Sequence, residues 1–275
     1  MKIFNKGIAT IALGLGLSSA VNATTIEVQV SNLFDDGGLA ITPVWLGFHD
    51  GTFDAFDLNA SASPALQNLA ENGATGDVEA SFASLNSNGV QSVLAAPQGF
   101  APVFEPGETA TTGLLEIDAA TSGYFSFLSM LIPTNDAFIG NDNPLAYDLF
   151  NDQGDFLGLD LIVLGSSVWD AGTELNTGFG APFLQGAGAQ PRQDEGGVVT
   201  FSNGLQVLPG GLAIIGGTTA TGYTIDQAAA DFTASGFEVA RITVSQVSEP
   251  ATLGFFASAL GGMVVGFRRR ALPYK

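Results

Sequence analysis

The feature that most restricts the fold is how short the apolar runs are between turn residues. Thr25 to Ser31 alternates, with Ile26, Val28 and Val30 on one side and Glu27, Gln29 and Ser31 on the other. A period of two marks a strand with one buried face. Asp35-Asp36-Gly37-Gly38 turns the chain. Leu39 to Phe48 returns as a strand-like run, and Pro43 inside it implies an edge or a bulge. Glu108–Asp118 and Tyr124–Ile132 read as neighbouring strands. Tyr147–Phe150 and Phe156–Leu164 flank Asn151-Asp152-Gln153-Gly154-Asp155, a hairpin turn. Gly211–Gly216 and Gly236–Val247 complete the set, the last with Phe237, Val239, Ile242 and Val244 as core candidates. Strands this short, separated by Gly, Asn and Asp, predict an all-β fold, an antiparallel β-sandwich.

One long connection departs from this pattern. Ser63-Pro64 opens a helix, with Ser63 as N-cap and proline at the first helical position. Leu66, Leu69 and Ala70 share a face, and Gly73 ends it. Val78, Phe82 and Leu85 have helical spacing as well, stopping near Asn88-Gly89. Gly178 to Gly197 reads as a long Gly-rich loop without a phosphate-binding pattern.

Both ends carry signals of another kind. Lys2 and Lys6 precede an apolar run from Ile8 to Leu17, and Val21-Asn22-Ala23 offers a cleavage site, so residues 1–23 read as a secretory leader. Its apolar core is shorter than the roughly 20 residues of a spanning helix. At the other end Ala251 to Phe267 is apolar or small, and Arg268-Arg269-Arg270 follows at once. That order predicts a short transmembrane helix over 251–267 with its arginines on the cytoplasmic side. Glu249-Pro250-Ala251, the apolar run and the arginines together resemble the PEP-CTERM sorting tail of Gram-negative bacteria, with Ser248 where the first proline is expected. The resemblance implies an exosortase-type processing enzyme as partner and a transient anchor in the inner membrane. The expected organisation is thus a leader over 1–23, a sandwich domain over 24–247 and a sorting tail over 248–275.

Between the ends the charge is one-sided. Of eight basic residues only Arg192 and Arg241 lie in residues 24–249, against all 27 acids, a formal charge of −25 where the whole chain carries −19. Such a surface repels nucleic acid and anionic headgroups and favours cations. There is no cysteine, which excludes disulfides, thiolate metal sites and cysteine catalysis. A secreted domain of this kind relies on its core, to which bound metal ions would add stability.

Three segments carry the chemistry: Phe48-His49-Asp50-Gly51-Thr52-Phe53-Asp54, then Ser129 to Gly140 with Pro133, Asp136 and Phe138, then Trp169-Asp170-Ala171-Gly172-Thr173-Glu174. In this order they resemble the spondin N-terminal domain over roughly Thr25 to Phe183. The resemblance implies a C2-like sandwich whose loops bind calcium at one end and which serves adhesion. Carried over by motif, the metal ligands are Asp136, Asp170 and Glu174, the last standing where the family usually has aspartate. The physics agrees: calcium takes six to eight oxygen ligands, and carboxylates gathered without a nearby cation repel one another.

Other chemistries find weaker support. Asn151–Asp155 lacks the spacing and terminal glutamate of an EF-hand. His49 is the only histidine, and no Gly-x-Ser-x-Gly elbow accompanies it. Trp45, Trp169 and Phe138 fit a core better than a binding face. The expected function is non-enzymatic: an exported calcium-binding adhesion or matrix module, sorted to the envelope or exopolysaccharide, with cell-surface proteins as further partners. A carbohydrate-binding module and a polysaccharide hydrolase using paired carboxylates are the alternatives.

Overall fold

The computed structural model describes residues 23–97 and 102–247. The predicted leader, Ala23 excepted, and the predicted tail over 248–275 lie outside the described residues. Among the described residues, no helix is long and apolar enough to cross a membrane.

The fold is mostly β, with two antiparallel sheets and a few short helices. The first sheet is built on β1 (Thr24–Asn32), which pairs along its length with β12 (Glu238–Gln246), from Ile26 opposite Gln246 to Asn32 opposite Ala240. β9 (Leu159–Leu164) lies on the far side of β12. The short strands β5 (Thr109–Thr111) and β6 (Leu115–Ile117) share the other side of β1. The alternation in β1 is the reason it forms: Ile26, Val28 and Val30 are fully buried. Each contributes about 1.5–3 kcal/mol by leaving water.

The second sheet runs in the order β11 (Thr200–Phe201), β10 (Val168–Asp170), β8 (Ala137–Gly140), β7 (Tyr124–Ile132), β3 (Val44–His49), β4 (Val90–Leu94). β2 (Ala40–Ile41) also pairs with β7, so Pro43 interrupts one strand line. Because β3 has partners on both sides, the proline marks a bulge and not an edge. At the break the Thr42 hydroxyl accepts the Met130 N–H at 3.0 Å, and Thr42 N–H donates to Met130 O at 3.0 Å. A side chain thus replaces a ladder bond where the pairing is broken. β7 and β3 are buried on nearly every residue, because one face meets the first sheet and the other is roofed by helices. Val44, Leu46, Phe48, Phe125 and Phe127 join Ile26, Val28, Val30, Val239 and Ile242 in one core.

The roof is α1 (Pro64–Asn72) and α2 (Gly76–Leu85). Ser63 caps α1 by accepting the Leu66 N–H, and Gly73 closes it in the left-handed region at φ 66°. Leu66, Leu69, Val78 and Phe82 pack with Trp45, Phe138 and Trp169 in a second core. Leu85, expected on that face, is 66% exposed because it ends α2.

Four further expectations need correction. Glu108–Asp118 is two short strands, and it pairs with β1 in the first sheet while Tyr124–Ile132 lies in the second. Tyr147–Phe150 is not a regular strand; a single bridge from Phe150 to Phe156 closes the Asn151–Asp155 turn. Gly211–Gly216 is irregular. β12 keeps Val239, Ile242 and Val244 buried through a register shift near Ala240, whereas Phe237 lies before the strand and is half-buried.

Candidate functional site

The acidic site lies at one end of the second sheet, where β7 hands over to β8 and where β10 ends. Leu131 O accepts the Thr134 hydroxyl at 2.6 Å, and the same hydroxyl accepts the Ala137 N–H at 3.1 Å, which fixes a tight turn. The turn buries Asn135 and Asp136 completely. Asn135 is fully used: its amide donates to Glu174 Oε1 (2.8 Å) and Phe179 O (2.9 Å), and its Oδ1 accepts the Gly178 N–H (2.8 Å).

Asp136 is used by half. Its Oδ2 accepts the N–H of Thr173 at 2.8 Å, the Thr173 hydroxyl at 3.1 Å and the N–H of Glu174 at 3.1 Å. Its Oδ1 is buried and, among the described residues, has no hydrogen-bond partner. Burial first, and the charge of Asp170 second, push the Asp136 carboxyl up to about 7 against those three bonds. An orphaned buried carboxylate oxygen costs free energy unless something positive meets it.

Asp170, at the end of β10, is partly exposed. Its Oδ1 accepts the Gly172 N–H (2.9 Å) and its Oδ2 accepts the Asn176 amide (2.9 Å). The backbone of this turn leaves room for no side chain at 172: Gly172 has φ 66°, and a Cβ there would stand 2.5 Å from Val198 O. That close approach lays residues 193–198 along the turn. Leu175 N–H reaches Gln193 O (2.8 Å), Glu195 N–H reaches Thr173 O (3.0 Å) and Gly197 N–H reaches Gly172 O (2.7 Å).

The structure brings Asp136 and Asp170 together, as the sequence suggests, and sends Glu174 elsewhere. The Glu174 backbone binds Asp136, but its carboxyl is held by Asn135 and faces Arg192, with Oε2 3.7 Å from the guanidinium. Burial is the main cause that raises its pKa, opposed by the Asn135 bond and Arg192. Arg192 also reaches Glu71 on α1 at 3.6 Å, so it ties the Gly-rich loop to the helical roof. A further acid, Glu195, feels the Asp170 charge: its pKa is raised by partial burial first and by Asp170 second. Glu195 lies in the Gly-rich loop outside the third segment, and only the backbone pairing of 173–175 with 193–195 returns it to the site. A local pattern carries no trace of that.

A calcium ion fits this arrangement in part. The free Asp136 oxygen, the repulsion from Asp170 and, among the described residues, the absence of a basic partner for either suit a hard cation. Yet among the described residues, no three or more His, Cys, Asp or Glu groups stand together as a metal-holding set. Asp136 and Asp170 would therefore be the protein carboxylates, completed by oxygens of other kinds.

The His49 side chain is committed to the fold. The ring is fully buried, its Nδ1 accepts the Gly51 N–H at 3.1 Å, and its Nε2 lies 2.9 Å from the Ser126 hydroxyl. With Nδ1 as acceptor, Nε2 carries the proton and donates to Ser126, so it cannot take a proton from that serine. Burial lowers the ring pKa to about 4, which keeps it neutral. Trp45 and Phe138 are fully buried and Trp169 is 5% exposed, stacked on Phe201 at 4.5 Å; none of the three offers a sugar platform. A cavity of about 380 Å³ opens elsewhere, beside Asp36, Glu105, Pro106 and Tyr223.

The Spondin_N family model matches residues 42–193, over half of the chain. The chain belongs to the spondin N-terminal domain family. No curated protein matches it. The matched span holds all three segments and ends beside Arg192, so β1 and β12, the centre of the first sheet, lie outside it while completing the same core. Spondin N-terminal domains are typical of extracellular adhesion and matrix proteins.

Proposed function

We propose that the chain is an exported, non-enzymatic adhesion or matrix module of the spondin type, and that a calcium ion bound through Asp136 and Asp170 sets the shape of its acidic end. The observation that carries the metal reading is the Asp136 Oδ1 atom: buried, unpaired and beside a second carboxylate. Calcium there would draw the β7–β8 turn, the end of β10 and the Gly-rich loop onto one centre. Glu174, the third ligand expected from the motif, acts in this reading as an anchor for Arg192. The half-exposed Asp170 would leave part of the ion's coordination facing outward, where water or an acidic polymer group could bind.

The ends supply the rest of the reading. A leader over 1–23 delivers the domain outside the cytoplasm, and a PEP-CTERM-type tail over 248–275 holds it at the inner membrane until an exosortase-type enzyme releases it toward the envelope or exopolysaccharide. The metal reading is tested by melting the protein in calcium, in magnesium and in chelator. Millimolar calcium raises Tm by several degrees over chelator, and magnesium does so less, because it demands a stricter octahedron. Equal Tm in all three would remove the metal from the account. Mass spectrometry of the surface-released protein checks the tail: a C-terminus near Glu249 supports processing, and an intact C-terminus opposes it.

A further inference from the structure

We infer that Asn59 is an acceptor for an N-linked oligosaccharide. Only two Asn-x-Ser/Thr tripeptides occur in the chain, Asn22-Ala23-Thr24 and Asn59-Ala60-Ser61. The first spans the expected leader cleavage site, so cleavage would separate its asparagine from its threonine. The second lies on the connection between β3 and α1, and its middle residue is not proline, as acceptor chemistry requires.

The local structure presents this asparagine outward. Asp57 to Ala60 form a turn closed by the Ala60 N–H on Asp57 O at 3.1 Å. Asn59 takes the third position with φ 66°, a left-handed conformation that asparagine tolerates better than most residues. The backbone is anchored, with Asn59 N–H on Val199 O at 2.9 Å and Val199 N–H on Ala60 O at 2.9 Å. Asn59 and Ser61 are both exposed, and among the described residues neither side chain takes part in a hydrogen bond. The amide and the hydroxyl that acceptor chemistry uses are thus unengaged, on a turn whose backbone is pinned to the buried Val199 while both side chains face outward. Asp57, exposed and two places earlier, gives a transferase a charge by which to grip the same turn.

The reaction needs a second substrate, an oligosaccharide carried on a lipid diphosphate, and a membrane oligosaccharyltransferase. The Asn59 Nδ2 forms a bond to the anomeric carbon. The bond from that carbon to the diphosphate oxygen breaks, the lipid diphosphate leaves with the electron pair, and one amide proton is lost to a base. Nothing is oxidised or reduced. A glycan here would stand beside the Val198–Thr200 segment, which packs on Gly172, and would add a hydrated polymer next to the acidic end without touching the core.

The test uses the purified, folded full chain with membranes that contain such a transferase and its lipid-linked oligosaccharide. A peptide spanning residues 55–63 and an established acceptor peptide serve as controls. Intact mass and peptide mapping should show one glycan on the Asn59 peptide of the folded chain. That mass should vanish in Asn59→Gln and Ser61→Ala, persist in Ser61→Thr and diminish in Asp57→Ala, with Tm unchanged in all four. The inference is overturned if the established acceptor is modified while the folded chain is not, whether or not the 55–63 peptide is, or if the glycan appears only at another residue.

Discussion

His49 on β3 and Asp136 at the head of β8 are both fully buried on the second sheet, and the protein treats them in opposite ways. Each polar atom of His49 meets a partner: Nδ1 meets Gly51, and Nε2 meets Ser126, whose hydroxyl also accepts the Asn141 amide at 3.0 Å. The network closes on itself and stays neutral. Asp136 binds the neighbouring turn with one oxygen and leaves the other unpaired beside Asp170. A satisfied polar network supports the fold, whereas an unpaired buried carboxylate oxygen costs stability unless it is protonated or met by a positive group. The first segment of the motif is thus architecture, and the second and third are the candidate site.

The contrast has opposite signs in pH. The folded pKa of His49, about 4, lies below its ordinary 6.5. The unfolded chain therefore takes up the proton first as pH falls, and stability is lost between about pH 6.5 and 4. The folded pKa of Asp136, about 7, lies above its ordinary 3.8. The folded chain takes up that proton first, so the cost of the buried charge is present in full above about pH 7 and fades as pH falls toward 4.

The largest effect is expected from Asp136→Ala. It leaves the Thr173 and Glu174 N–H groups unpaired, and near pH 5 it should cost roughly 2–4 kcal/mol in urea denaturation. Asp136→Asn keeps an acceptor and removes the charge, so at pH 8 in chelator it should be at least as stable as the parent. A large loss there would mean that the charge is already balanced within the protein. Next, His49→Gln should flatten the acid limb between pH 6.5 and 4 by about 2–3 kcal/mol, whatever its effect at neutral pH. An unchanged limb would show that His49 is charged when folded. Arg192→Met strands the buried Glu174 carboxyl with only Asn135, and about 1–2 kcal/mol should be lost, since the guanidinium is one-third exposed. Smallest of all, Arg241→Gln breaks an exposed pair with Asp160 across β12 and β9, and the melting curve should not move beyond replicate scatter.

How much of this was legible in the sequence depended on the range of the interaction concerned. β1 and α1 could be read residue by residue, because alternation, an N-cap serine, a first-turn proline and a C-terminal glycine are local causes. Pro43 was legible as a break, but whether it marked an edge or a bulge depended on β4, whose Leu94 pairs with Val44 and which no local pattern places there. Asp136 and Asp170 were legible through their motif. The diversion of Glu174 was not, because it depends on Arg192 and on the amide orientation of Asn135. Glu195 was hidden for the same reason: Gly172 admits the 193–198 strand of loop so closely that an acid outside the motif arrives beside one within it.

Calorimetric titration of calcium into the chelator-stripped protein tests most directly whether Asp136 and Asp170 hold a calcium ion. Saturable heat with a stoichiometry near one is expected, abolished in Asp136→Asn, strongly weakened in Asp170→Ala and retained in Glu174→Gln. No heat from the parent protein, or heat unchanged in Asp136→Asn, would contradict it.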